Sequence, residues 1–226
     1  MNVCLEELNP YDVINEQFQK EQQNNLFGFL YENIFSAMNH CICELLISPG
    51  TVIQEKHLAD TLQVSRTPLR QALSMLTESG LLIAQPKSGY VIPRLDVETF
   101  SSANSARIAY ESSCAELAAK NANRKDLGKI KNCFIQMKNL DFSSLDYETI
   151  KAFIQTDLDF HSLICLASKN SYLIEAYQAL EPRLRHMRYQ SLFDNAPFPL
   201  KQISTFVYDE HLMIYMAIRN RNSELA

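Results

Sequence analysis

Two sets of side chains in this 226-residue chain have the types and spacing to do chemistry. The first is the run Val64-Ser65-Arg66-Thr67-Pro68-Leu69-Arg70-Gln71-Ala72-Leu73, where Leu69, Ala72, Leu73 and Leu76 recur at helical spacing and form a buried stripe. Arg66 and Arg70 fall off that stripe near the start of the helix, so two guanidinium forks point outward together. Such forks meet base edges and phosphate oxygens. The second is Asp157-Leu158-Asp159-Phe160-His161, with Glu210-His211 in a later helix. Asp157 and His161 are spaced i, i+4 and leave one helix face about one turn apart. With His211 from a facing helix they can bind one divalent ion, although spacing alone favours a hydrogen-bonded pair and a satisfied core histidine. Asp159 lies further round the helix.

The elements that position the arginines read as a winged helix-turn-helix from about Leu26 to Pro93. Thr67 is placed to cap the arginine-bearing helix, with Pro68 in its first turn, where a missing N–H costs nothing. Leu58-Ala59 and Leu62 supply a short amphipathic helix before it, and Gln63-Val64 the tight turn between them. Ile34 to Ile47 is a helix ended by Ser48-Pro49-Gly50. Gly80 ends the arginine helix, Leu81-Leu82-Ile83 reads as a strand, Pro86-Lys87-Ser88-Gly89 as a turn and Tyr90-Val91-Ile92 as the return strand. Lys87 and Gly89 at the tip of this two-stranded wing suit a loop laid against phosphate. His40 and His57, lone histidines near helices, read as surface or half-buried residues.

Pro49-Gly50, Leu58-Ala59, the run Val64 to Arg70, Gly80-Leu81 and Gly89-Tyr90-Val91 together resemble the DNA-binding domain of the GntR family of bacterial transcription regulators, without gaps. Carried over by position, the resemblance implies that Lys56, Ser65, Arg66, Thr67 and Arg70 contact DNA and that Gly89 shapes the wing. The family has Gly in the turn where this chain has Gln63, and a left-handed Gln63 costs roughly 1 kcal/mol.

The length fits two domains, and the spacing of punctuators divides the chain into a polar extension (1–25, mobile or a short frayed helix), the winged domain (26–93), a linker (94–98) and an all-α domain (99–226). The expected fold class is mainly α. No apolar run reaches a membrane span, and no export signal opens the chain, so a cytoplasmic protein is expected. The six cysteines, at 4, 41, 43, 114, 133 and 165, lack metal or disulfide spacing and read as buried free thiols. The net charge of −5 is no obstacle to a polyanionic partner, because the acids are dispersed and the outward face of the arginine helix is basic.

In the second domain, helices are expected over Val97–Asn121, Lys125–Leu140, Asp146–Ser168, Tyr172–Leu192 and Leu200–Asn220. The fourth is expected to kink or split at Pro182, with Asn195-Ala196-Pro197 after it. The charged run Arg183 to Arg188 reads as a solvated or dimer-facing side. Asp157, Phe160-His161, Ser168, Asn170, Glu210-His211 and Ala217-Ile218, with Arg107 and Glu111 in the first helix, resemble the FCD effector-binding domain of the FadR-like branch of that family. The resemblance implies a divalent metal (zinc, nickel or manganese) held by Asp157, His161 and His211 at the floor of an effector pocket. It puts the family's last histidine about two helical turns beyond Ala226. Arg107 suits a bidentate grip on an effector carboxylate, or equally a helix-surface pair with Glu111.

The reading that joins these elements is not an enzyme. It is a ligand-responsive regulator, a repressor, that binds a palindromic operator as a homodimer because two recognition helices must meet successive major-groove faces. A small organic acid is the expected effector. The alternatives are a DNA-binding dimer whose second domain serves only dimerisation, and a metal-dependent hydrolase, for which no general base or nucleophile stands beside the metal residues.

Overall fold

The computed structural model describes residues 9–94, 96–142, 147–194 and 200–226, and their side chains except at 192–194 and 200–204. Cys4, Leu95 of the expected linker, Ser143-Ser144, Asp146 and the Asn195-Ala196-Pro197 break lie outside the described residues. The chain divides into two compact units, one of residues 1–96 with 182–194 and one of residues 97–181 with 195–226. No helix among the described residues is long and apolar enough to cross a membrane.

The first unit holds α1 (Pro10–Asn24), α2 (Leu30–Cys43), β1 (Val52–Ile53), α3 (Glu55–Leu62), α4 (Arg66–Glu78), β2 (Ile83–Gln85) and β3 (Gly89–Val91). Its first helix corrects the expectation of a polar extension. Asn9 caps α1 by accepting from the Tyr11 amide, Pro10 occupies the first turn, and Tyr11, Ile14 and Phe18 are buried in one core with Ile34, Leu58, Leu69 and Leu73. Three apolar residues spaced three and four apart, with Val13 packed beside them, dock one face, while ten of the other positions are polar and hide the pattern. The Tyr11 hydroxyl also accepts from the Gln54 amide at 3.0 Å, and its ring stacks on the exposed His57 at 3.9 Å.

Gln63 takes the left-handed turn conformation expected of it, with φ 52° and ψ 43°. The cap of α4 falls elsewhere than expected. Ser65, extended at φ −71° and ψ 157°, is the residue that precedes the helix, so Thr67 already lies inside the first turn. The chain leaves the left-handed residue and re-enters helix within three positions, which places the helix start ahead of Thr67. At the other end Gly80 has φ 74°, and the Leu81 and Leu82 amides return to the Leu76 carbonyl at 2.9 and 3.2 Å. A Cβ at Gly80 would also collide with the Arg183 guanidinium.

The wing has one strand more than expected. β3 lies between β1 and β2, both antiparallel to it, with Val91 facing Val52 on one side and Ile83 on the other. Gly89, at φ 95°, lets β3 pass β1 closely, since a Cβ there would sit 2.4 Å from the Ile53 carbonyl oxygen.

The second unit is helical: α5 (Val97–Asn121), α6 (Arg124–Lys138), α7 (Tyr147–Ala167), the first half of α8 (Ser171–Asp194) and α9 (Leu200–Arg219). Asn123 and Asp126 exchange a reciprocal capping pair at the start of α6. Pro182 sits inside α8 without ending it, so of the expected kink or split the helix is not split there. A proline removes one helix hydrogen bond, and here burial of the following turns holds the helix together. Leu184, His186, Met187 and Tyr189 are buried, while of the charged run Arg183 is exposed and Arg185 and Arg188 are half-buried. Within the first unit Arg183 Nε donates to the Ser79 carbonyl at 2.6 Å, the Cys43 thiol donates to the Pro182 carbonyl at 3.2 Å, and His186 Nδ1 lies 3.0 Å from the Ile42 carbonyl.

Candidate nucleic-acid interface and candidate metal centre

In the first unit, the stripe Leu69, Ala72, Leu73 and Leu76 of α4 is fully buried, which turns Ser65, Arg66, Thr67 and Arg70 to solvent. Arg66 and Lys56 from α3, with Lys87, Ser88 and Gly89 from the wing turn, line an open groove of about 620 Å³. Lys87 is itself left-handed at φ 65°, which closes the turn and leaves its ammonium exposed. Lys56, Arg66, Lys87 and Gly89 thus line one groove, and Ser65, Thr67 and Arg70 are exposed at or near the start of α4. What spacing did not reveal is Glu55, whose carboxylate accepts from Arg70 Nε at 2.9 Å and also lines the groove. An exposed pair of this kind contributes little stability, on the order of 0–1 kcal/mol, but it orients the Arg70 fork.

In the second unit, α7 presents Asp157 and His161 one turn apart, and α9 brings His211 to them. His211 Nε2 lies 3.3 Å from His161 Nε2 and 3.4 Å from Asp157 Oδ1, and His161 Nε2 lies 3.9 Å from that same oxygen. Asp157 and His211 are almost wholly buried, and one donor atom from each of the three residues falls within 4.8 Å of the others. Ligands about 2.1 Å from one ion at tetrahedral angles stand about 3.4 Å apart. The donor set therefore fits a divalent transition ion in both spacing and type.

Two further contacts orient the imidazoles. The Glu111 carboxylate on α5 lies 3.3 Å from His161 Nδ1, the placement that fixes the Nδ1–H tautomer and frees Nε2. The Phe160 ring stacks on His211 at 4.0 Å with 18° between planes. No i, i+4 rule could have linked Glu111 to His161, because they come together only when α5 packs on α7. Arg107 stands 3.7 Å from the same Glu111 oxygen, so the helix pair weighed for it is present. Asp159 is exposed and accepts from Gln155, away from the site.

His161 also lines a cavity of about 140 Å³ together with Ile108, Glu111, Cys114, Cys165 and Tyr177. That is room for a molecule of a few carbon atoms, on the order of four or five waters. The walls are largely apolar; the ionisable pair on them is Glu111 and His161, the latter a member of the donor triad, with Ser112 and Tyr177 adding hydroxyl-bearing side chains.

The sequence pattern of the FCD domain matches residues 103–226, and that of the bacterial regulatory proteins of the gntR family matches residues 30–92. The HTH-type transcriptional repressor RspR of Escherichia coli K12 is 24% identical over 204 residues, covering 90% of this chain and 85% of that protein. The Nta operon transcriptional regulator of Aminobacter aminovorans is 28% identical over 141 residues, 62% of this chain and 65% of that protein. Among solved structures, Escherichia coli McbR/YncC has the same fold, with a TM-score of 0.69 at 22% identity over 88% of this chain and 90% of that one.

Proposed function

This chain belongs to the gntR family of bacterial regulatory proteins that carry an FCD domain, a transcription regulator and not an enzyme, and from that premise we propose that it is a ligand-responsive repressor. It acts as a homodimer on a palindromic operator and answers to a small organic acid bound in the helical unit. The observation that carries the DNA half is the outward placement of Arg66 and Arg70 on a helix whose opposite stripe is fully buried. Arg66 reads a base edge with its two-pronged guanidinium, while Lys56, Ser65, Thr67 and Lys87 grip phosphates on either side of the groove. Twofold assembly sets two such helices one turn of duplex apart.

The observation that carries the effector half is that His161 belongs both to the donor triad and to the cavity wall. Asp157, His161 and His211 would hold a divalent ion, which supplies a Lewis-acidic positive charge beside the cavity. Zinc, nickel and manganese all accept this donor set. Glu111 keeps the His161 ring in register, and the apolar wall of Ile108 and Tyr177 excludes water from the bound acid. Arg107, adjacent to Ile108 and paired with Glu111, is the guanidinium assigned to the acid's carboxylate. The acid shifts the balance between two arrangements of the DNA-binding units, and by linkage DNA changes the affinity for the acid by the same factor.

The experiment is a pair of titrations on the purified protein. Elemental analysis and a calorimetric titration with zinc, nickel and manganese test the triad, and a gel shift on the chain's own upstream DNA tests the operator. Saturable metal binding lost in His161→Ala, with DNA binding retained, supports both halves. DNA binding without any metal or acid response favours a dimerisation-only second domain.

A further inference from the structure

Glu55 opens α3 and meets Arg70 across the tight turn, its Oε1 accepting from Arg70 Nε at 2.9 Å. Packing fixes the two against each other, since Leu58 and Leu62 of α3 and Leu69 and Leu73 of α4 are buried in one core. The Arg70 side chain is 62% exposed and the Glu55 side chain 22%, so the acid is sheltered while the guanidinium faces outward. Among the described residues lining the groove, Glu55 is the one acid, beside the cations of Lys56, Arg66 and Lys87. A carboxylate there repels phosphate and costs affinity on every duplex, whatever its sequence.

We propose that Glu55 is a specificity-determining residue, which holds Arg70 by Nε so that its terminal amino groups read a base edge instead of gripping phosphate. The proposal rests on the DNA-binding reading of α4. The Nε–H of Arg70 goes to Glu55, while the N–H donors on its two Nη atoms lie at the outer end of the guanidinium. A pair of such donors matches the O6 and N7 acceptors of a guanine in the major groove.

Charge decides between the two targets. A lone guanidinium is drawn first to phosphate, which carries a full negative charge. Arg70 already has its counterion in Glu55, and the same carboxylate turns away a phosphate approaching that spot. The uncharged acceptors of a base edge meet far less repulsion, so hydrogen-bond geometry sets the choice. Holding Nε in the free protein also lowers the ordering cost of a contact that must be bidentate. The net effect is a protein that binds unrelated DNA less tightly and its operator more selectively.

The test takes the full-length protein and a duplex that it selects from a random pool. Single base-pair variants of one half-site are then measured by fluorescence anisotropy over a range of salt. Arg70→Ala is expected to relax the preference at one base pair by about fivefold or more, with the slope of log affinity against log salt unchanged. Glu55→Gln keeps the shape of the side chain and removes its charge. It is expected to relax that same base pair, to bind unrelated duplexes roughly threefold tighter or more at low salt, and to steepen the slope by about one. In the Arg70→Ala background it relaxes that base pair no further. If Arg70→Ala instead weakens all duplexes alike and lowers the slope by about one, Arg70 is a phosphate clamp and the proposal is overturned. That arm decides the matter even if Glu55→Gln melts early. A folded Glu55→Gln with wild-type selectivity also overturns it, leaving a purely structural pair. If the wild type selects no sequence at all, the DNA-binding reading itself fails and the proposal with it, a result distinct from the other two.

Discussion

His161 and His211, fifty residues apart in the chain, bring their Nε2 atoms to 3.3 Å beside the Asp157 carboxylate. Two imidazole nitrogens at that distance cannot both carry a proton, and two positive rings there would repel. Either a single shared proton or a cation joins them. The Glu111 carboxylate at His161 Nδ1 satisfies that ring's one N–H and leaves its Nε2 lone pair for whichever of the two joins them.

The first prediction separates those cases. His161→Ala and His211→Ala abolish binding of zinc or manganese measured by competition with a chromophoric chelator. Glu111→Gln, which keeps all three donors but weakens the grip on His161, lowers metal affinity about 10- to 100-fold. Glu111→Gln with unchanged affinity would show that the carboxylate contact has no part in the site.

The second concerns α1. Phe18 is 1% exposed and sits in the core shared with α3 and α4, so Phe18→Ala costs about 3–5 kcal/mol in urea unfolding. A loss under about 0.5 kcal/mol would mean that α1 is a dispensable extension.

These two cases show what was legible in the chain. The outward arginines, the left-handed Gln63 and the i, i+4 pair of Asp157 and His161 depend on local spacing, which a linear reading resolves. The docking of α1 was hidden because Tyr11, Ile14 and Phe18 are too few among polar neighbours to announce a buried face. Glu111 at His161, Arg183 at the end of α4 and β1 beside β3 arise from packing between segments far apart in sequence. No periodicity encodes such meetings. Pro182 does not split α8, since the burial of Leu184, Met187 and Tyr189 outweighs the local cost of a proline.

The third prediction is a pH dependence. Burial pushes His186 below its ordinary value of 6.5, and hydrogen bonds to the Ile42 and Pro93 backbones only partly offset it. The folded unit thus prefers the neutral ring, while the unfolded chain takes up a proton near 6.5. Its stabilising contribution is complete above that pH and is lost as pH falls below it, toward the folded-state value. The melting temperature of the wild type therefore drops between about pH 7 and pH 5, and His186→Gln shows a shallower drop. Equal slopes for the two proteins would remove His186 from the acid sensitivity.

The fourth concerns the wing. Lys87→Ala weakens binding to all duplexes alike and reduces the slope of log affinity against log salt by about one, as expected when one phosphate contact is lost. A loss confined to one DNA sequence would place Lys87 at a base instead.

The most direct test of the whole account is Arg66→Ala on a duplex selected by the wild-type protein from a random pool, followed by fluorescence anisotropy at fixed salt. The account predicts a loss of about 1–3 kcal/mol, roughly 5- to 150-fold, on the selected duplex, and a much smaller loss on unrelated DNA. If Arg66→Ala holds the selected duplex as tightly as the wild type does, the outward face of α4 is not what reads it.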